Sequence, residues 1–293
     1  MIIGCLALLI APRSNCGCAQ SWQQLDRRSV ATAASTISRR GNVVKWPDAW
    51  RVSMTAATLA ETRLTSDPVP PEKLRADTDA LFAALDAGGI GIVPLDVAYA
   101  VVATSAAGVR RIFEVKRRSY DKPSGMFGNW RLSHEIHRME DSRHAMVREL
   151  IEEEQLPFSV VAPFRAEHAL LAAVEPFVIE NSSKAGTLDM LLNAGQFHDA
   201  IAEASIAKGR AVFGSSANLS LAGSKYRLAD IEAPVRAAAA ILFDYGQSKF
   251  ANADGLASTI IDFRDFTVVR VGHCFERLKR AFAERFGVVL KTA

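Results

Sequence analysis

From residue 70 onward the apolar positions alternate between helical and strand spacing. Leu74, Leu81, Phe82 and Leu85 share one face at spacings of three to four, which predicts a helix over 72–87 stopped by Gly88 and Gly89. The run Ile-Gly-Ile-Val-Pro at 90–94 predicts a buried strand. Val109, Ile112, Phe113 and Val115 predict a helix over 106–117. A loop rich in Gly, Ser, Pro and Asp is expected at 119–132, followed by one long polar helix over 133–155. Strands are expected at 158–164 and 211–214, and helices at 166–180, 197–208 and 228–240. The stretch 187–193 fits either state. Strands at 259–263 and 267–271 flank a tight turn at Arg264-Asp265, and an amphipathic helix over 275–286 closes the chain. No period repeats, so a solenoid is excluded. Mixed strands and helices of this length argue an α/β or α+β domain, of which α/β is the expected class.

Before residue 70 the pattern is different. Residues 1–11 form an apolar run, shorter than the roughly 20 residues that a membrane span requires. No positive residue precedes it, as one would in a secretory signal. A stretch rich in Ser, Ala and Arg follows, a composition shared with organelle transit peptides. A start at Met54 is the third reading and the favoured one. Residues 1–69 are therefore expected to be an extension without fold information, and 70–293 the folded domain. The body is expected to be cytoplasmic and not membrane-bound.

The chain has 293 residues, 49% of them hydrophobic and 23% charged, which is enough apolar material for a proper core. Its net charge of +3 is uneven: residues 1–51 hold seven basic and two acidic residues, so the remainder is slightly acidic. Any grip on nucleic acid must then come from a local patch. Three of the four cysteines lie before residue 20, which leaves the body without a disulfide framework. The pair Cys16 and Cys18 is too isolated to read as a zinc site.

Three segments carry candidate chemistry. Arg110 and Arg111 are followed by Lys116, Arg117, Arg118 and Lys122, a cluster of cations that a bound polyanion would relieve. Alone, the run reads as a solvated helix end. An apolar strand leads into Ser215, Ser216, Ala217 and Asn218, whose hydroxyl and backbone N–H groups suit a phosphate or carboxylate. Alone, this is an ordinary polar turn. Asp96 and Tyr99 follow the strand at 90–94, where ligand crevices often form.

In this order the three segments resemble the YrdC-like family, the threonylcarbamoyl-AMP synthases. The likeness runs from about Leu74 to Gly272 and includes Ser258–Asp262 and Val269–Gly272 of the closing strand pair. It implies a twisted, mixed sheet with flanking helices around a positively charged cavity. It also implies an enzyme of the nucleotidyltransferase type that joins ATP, L-threonine and bicarbonate into threonylcarbamoyl-AMP and releases pyrophosphate. Mg²⁺ would come with the ATP, and no dedicated metal site is visible. A partner transferase would then carry the threonylcarbamoyl group to tRNA. By resemblance, Lys116 and Arg118 are catalytic, Lys122 joins them on the phosphates and carbamate, and Ser215, Ser216 and Asn218 hold nucleotide and substrate, with Asp96 and Tyr99 beside them.

The sequence departs from the family pattern at several points. Leu95 and Val97 stand where the family carries threonines, and Ala100 where it carries glycine. Ser119 and Ser124 replace a proline and a leucine. The Arg-Val-Pro stretch has no convincing counterpart near Leu191–Gly195. Residues 125–156 look like an insertion, expected as a polar helix that covers the cavity, with His134, His137 and His144 on it. Two other functions stay open: a non-catalytic binder of double-stranded RNA, tRNA or nucleotide, and a carbamoyl-adenylate-forming enzyme with another acceptor.

Overall fold

The computed structural model describes residues 63–292. The expectations for the apolar run, the basic stretch and the Met54 start lie outside these residues. The expected boundary at 70 falls inside the fold. Leu64 bridges Gln247, Thr65 Oγ1 donates to Asp96 Oδ1 at 2.7 Å, and Val69 is buried.

One mixed, twisted sheet of eleven strands organises the described residues, in the order β11-β10-β9-β4-β6-β3-β7-β2-β1-β8 with β5 paired to β6. In chain order these are β1 (Gly91–Val93), β2 (Ala100–Ala103), β3 (Gly125–Phe127), β4 (Phe158–Pro163), β5 (Ser183–Lys184) and β6 (Thr187–Leu192). They continue with β7 (Phe213–Ser216), β8 (Ile241–Leu242), β9 (Ile260–Asp262), β10 (Thr267–Arg270) and β11 (Lys291–Thr292). The pairs β3–β6 and β4–β9 are parallel, whereas β4–β6, β2–β7 and β3–β7 are antiparallel.

Strand side chains alternate between two faces. One face carries Ile92, Val101, Met126, Val160, Met190 and Ile261 into the larger apolar core. There it meets α2 (Ala106–Lys116), α3 (Trp130–Ile136), α4 (Asp141–Glu152) and α9 (Phe275–Phe286), the last through Leu278 and Phe282. Short helices α5 (Ala169–Ala172), α6 (Pro176–Glu180) and α8 (Ala233–Ala238) pack on the same side through Leu171, Val178 and Val235. The other face is only partly covered. Val93, Val102 and Phe127 meet α1 (Pro71–Asp86) and α7 (Gln196–Lys208) through Leu81, Phe82, Leu85, Phe197 and Ile201. Further along the sheet, Asp189 of β6, Val161 of β4 and Asp262 of β9 on the same face line an open cavity.

Four expectations change. The helix expected over 133–155 is two helices. The chain breaks at His137, where Arg138 N–H donates to Pro163 O and His137 bridges Phe164. Neither piece is a polar cover: Leu132, Ile136, Val147 and Leu150 are core residues. The helix expected over 166–180 is likewise split into α5 and α6, with Pro176 starting the second. The 228–240 helix reduces to a 3₁₀ turn (Leu228–Asp230) and α8. Finally, 187–193 resolves into β6, and β2 and β3 appear where no strand was expected. All three are central strands, and β3 opens the supposed insertion.

Candidate functional site

The uncovered part of the sheet is the floor of a cleft of about 790 Å³. Strand register sets its geometry. One rank across the floor holds Gly214, Gly125, Asp189, Val161 and Asp262 on adjacent strands. The next holds Phe127, Leu191, Ser159 and Ile260, with Arg270 at its end. Successive ranks on one face lie about 7 Å apart, two residues of strand rise. Thr187 lies one rank to the other side of Asp189.

Around this floor stand five basic residues, Arg118, Lys122, Lys184, Arg264 and Arg270, against three acidic ones, Asp121, Asp189 and Asp262. Arg264 is engaged by Asp262 at 2.7 Å, which removes that pair from ligand duty. Lys184 Nζ donates to Asp121 O at 3.3 Å, so it stands at the same end as Lys122.

Arg118 is placed by the end of α2. Arg117 takes a left-handed conformation (φ 50°), and the N–H groups of Arg117 and Arg118 cap Glu114 O and Phe113 O. This turn sends Lys116 inward and Arg118 toward the cleft. The Arg118 guanidinium donates to Lys122 O (3.0 Å), Pro123 O (2.8 Å) and Ser215 Oγ (3.1 Å). Burial, and then the charge of Arg270, lower its pKa, while Asp189 raises it. Ser215 and Ser216 end β7 and line the same wall.

Lys116 does something else. It is 1% exposed and does not line the cleft. Its ammonium donates to Ser216 O and, at 2.6 Å, to Asn218 O. It therefore staples the 215–218 loop from behind and does not face the cleft. Burial, then the Arg118 charge, pull its pKa down to about 7. Asn218 also turns inward: its Oδ1 accepts from Ser216 Oγ at 2.5 Å, and its amide donates to Leu219 O. Tyr99 lines the cleft, but its hydroxyl donates to Gly246 O (2.8 Å) and meets Asp244 Oδ1 (3.0 Å). Burial, then Asp244, raise its pKa. Asp96 lies outside the cleft lining, accepts from Thr65, and has a pKa raised by burial. Of the eight expected residues, Arg118, Lys122, Ser215 and Ser216 form one wall, Tyr99 contributes to the lining, and Lys116, Asn218 and Asp96 support the site from outside.

Two site residues escaped the sequence reading. Arg270 donates through Nε and Nη2 to Ser258 O (3.0 and 2.8 Å) and through Nη2 to Ser258 Oγ (3.1 Å). Its pKa is lowered by burial and raised by Asp189. Asp189 stands in the floor. Burial raises its pKa, and Arg270, the Ser159 hydroxyl and Arg118 act in the opposite direction. The one sequence signal for it was a lone acid inside an apolar stretch.

The three histidines of the supposed insertion are not gathered on a cleft. His137 is fully buried between Ser133 Oγ (3.1 Å) and Leu188 O (3.3 Å), and burial lowers its pKa to about 4. His134 and His144 lie with ring centres 4.7 Å apart beside Trp130. Among the described residues, no three His, Cys, Asp or Glu side chains converge on one metal position. No helix of the described residues is long and apolar enough to cross a membrane.

The fold is shared with several solved structures. A hypothetical protein of Streptococcus mutans superposes with a TM-score of 0.62 at 16% identity, over 73% of this chain and 94% of that one. P. abyssi Sua5, solved in complex with L-threonine, gives 0.59 at 18% identity over 78% of this chain. The alignment spans only 61% of that Sua5. E. coli YciO gives 0.52 at 14% identity, over 72% and 95% of the two chains. No curated protein matches by sequence. Residues 83–272 match the Sua5/YciO/YrdC family model, whose description reads "Telomere recombination". With most of the chain inside that match, the cleft, its Arg118 wall and its Ser-Ser-Ala-Asn loop are those of a member of the Sua5/YciO/YrdC family.

Proposed function

We propose that this chain is an ATP-dependent enzyme that forms a carbamoyl-adenylate on an amino acid, as a threonylcarbamoyl-AMP synthase does. The observation that carries the reading is Arg118, held by Lys122 O, Pro123 O and Ser215 Oγ at the wall of a concave site of small-molecule size. A guanidinium fixed by three acceptors is ready for phosphate oxygens with little reorganisation. Lys122 and Lys184 add charge at the same end. The complex of P. abyssi Sua5 with L-threonine supports an amino acid as co-substrate.

The chemistry needs two steps. The neutral amino group attacks the carbon of bicarbonate, a C–N bond forms and water leaves, giving a carbamate. A carbamate oxygen then attacks the α-phosphorus of ATP and the bond to pyrophosphate breaks. Negative charge grows on the departing pyrophosphate, which is where Arg118 and Lys122 act. Mg²⁺ enters on the phosphates of ATP. A separate transferase would pass the carbamoyl group to a tRNA adenosine.

The test is pyrophosphate release by the full chain with ATP, bicarbonate and Mg²⁺, with each amino acid in turn and with none. Amino-acid-dependent release is expected, L-threonine being the first to try. Arg118→Ala should lower it about 100-fold or more, the scale on which one fixed transition-state donor acts. Release that ignores both the amino acid and Arg118 would overturn the reading.

A further inference from the structure

Asp189 is a carboxylate that the phosphate wall leaves unused. Its Oδ1 is shielded from solvent and has no hydrogen-bond partner among the described residues. Arg270, the Ser159 hydroxyl and Arg118 act on the carboxylate electrostatically, yet none of them hydrogen-bonds Oδ1. A Cβ on Gly125 would lie 3.3 Å from Asp189 Oδ2, so the bare backbone of β3 gives this carboxylate its room. A shielded oxygen without a donor is costly unless something that binds supplies one.

What surrounds it says what would bind. Leu191 follows on the same face of β6, about 7 Å on. It packs against the apolar cluster of Leu95, Val97, Phe127 and Ala194, and Leu95, Val97, Phe127 and Leu191 all line the cleft. Arg270 stands on the other side, at the end of Leu191's rank. Its Nε and Nη2 are engaged by Ser258, and no acceptor among the described residues takes Nη1. Across the floor the cleft thus presents an apolar wall, an acceptor for a cation on the strand beside it, and a guanidinium for an anion on the far side.

We propose that the amine co-substrate of this cleft is an α-amino acid with an aliphatic side chain. Its ammonium donates to Asp189, its carboxylate meets Arg270, and its side chain lies against Leu95, Val97 and Leu191. The assignment rests on the reading of the cleft as a carbamoyl-adenylate site. Valine and threonine have the same shape and differ by a methyl against a hydroxyl. A hydroxyl placed on this wall loses its water without gaining a partner, and an apolar pocket discriminates against such a hydroxyl by up to about 100-fold.

The experiment is calorimetric titration of the full chain with L-valine, L-threonine and 3-methylbutanoate, the last lacking the amine. Each is measured with and without AMP-PNP and Mg²⁺. L-valine should bind at least tenfold more tightly than L-threonine. Asp189→Asn should weaken L-valine at least tenfold and leave 3-methylbutanoate unchanged. The pair Leu95→Thr and Val97→Thr should reverse the valine preference. Threonine binding as well as valine to the unaltered chain would overturn the assignment whatever the variants do. So would an Asp189→Asn protein that keeps its valine affinity, or an unaltered chain that binds AMP-PNP but no amino acid. Valine preference without AMP-PNP binding would instead sink the nucleotide reading and leave this assignment standing.

Discussion

Lys116 is a cation placed behind a loop, and its position has a pH signature. Its pKa of about 7 in the folded chain lies below the unfolded lysine value of about 10.4. Between those values the unfolded chain binds the additional proton, so stability rises as pH climbs from 7 toward 10. Below pH 7 the penalty of the buried charge is present in full, on the order of a few kcal/mol. The neutral amine keeps two N–H groups for Ser216 O and Asn218 O, so the staple survives deprotonation. In thermal melts, the unaltered chain should gain Tm relative to Lys116→Met between pH 7 and 9.5. A difference independent of pH would mean that the lysine is not desolvated. Arg118 behaves differently because its charge never leaves. Arg118→Lys keeps the cation but cannot satisfy Lys122 O, Pro123 O and Ser215 Oγ together, so ATP should bind about tenfold more weakly, which equilibrium dialysis reads directly. Arg118, Lys122 and the two serines were legible in the sequence because charge and small polar residues stand out at the end of apolar segments. Lys116 was legible as a residue of interest but not as a staple, since nothing in its neighbours says that helix α2 ends by turning it inward. Asp189 was hidden because one acid in Thr-Leu-Asp-Met-Leu-Leu resembles a broken alternation more than a site.

Elements place these side chains, and two of them can be probed away from the chemistry. Gly195 enters α7 with φ 105°, and a Cβ there would lie 2.7 Å from Asp96 Cγ. Both the conformation and the contact oppose a side chain. Gly195→Ala should therefore cost about 1–3 kcal/mol in urea unfolding, the range for a residue forced into sparsely populated backbone space. His137 joins α3 to the core through Ser133 and Leu188. His137→Ala should cost about 1–3 kcal/mol from the unpaired groups it leaves, with ATP affinity unchanged because neither α3 nor α4 lines the cleft. A loss of ATP affinity in that variant would restore a covering role for these helices. The amphipathic helices α1, α2, α7 and α9 were readable because a core face repeats along each. The break between α3 and α4 was not, because no Gly or Pro marks it; it is set by Arg138 N–H reaching Pro163 O across the molecule. The central strands β2 and β3 were missed, and β6 was left open between helix and strand, for a related reason. They are three to six residues long, too short for a spacing to declare itself, and β2 is buried on both faces, so it shows no alternation.

At the scale of the whole molecule, the sheet is covered on one face and partly bare on the other, and the bare part is the site. This arrangement bears on the choice between the proposed small-ligand enzyme and an RNA-binding protein. A cleft of about 790 Å³ falls within the roughly 300–1,000 Å³ of small-molecule sites. A duplex is gripped instead by cations spread over an open surface, with steep salt dependence. Here the cations are few and turned into the cleft: Arg118 is bound to its own loop, Arg270 to Ser258, and Arg264 to Asp262. A fluorescent ATP analogue should therefore bind the full chain with an affinity that falls only several-fold between 50 and 300 mM salt, as screening shortens the reach of Lys122 and Lys184. A double-stranded RNA of about 20 base pairs, longer than the span of a typical RNA-binding domain, should not displace the analogue near physiological salt. Displacement by RNA that collapses steeply as salt rises would mean that the cleft's cations serve a polyanion surface. The carbamoyl-adenylate reading would then fall, while the amino acid beside Asp189 is tested separately by the valine titration.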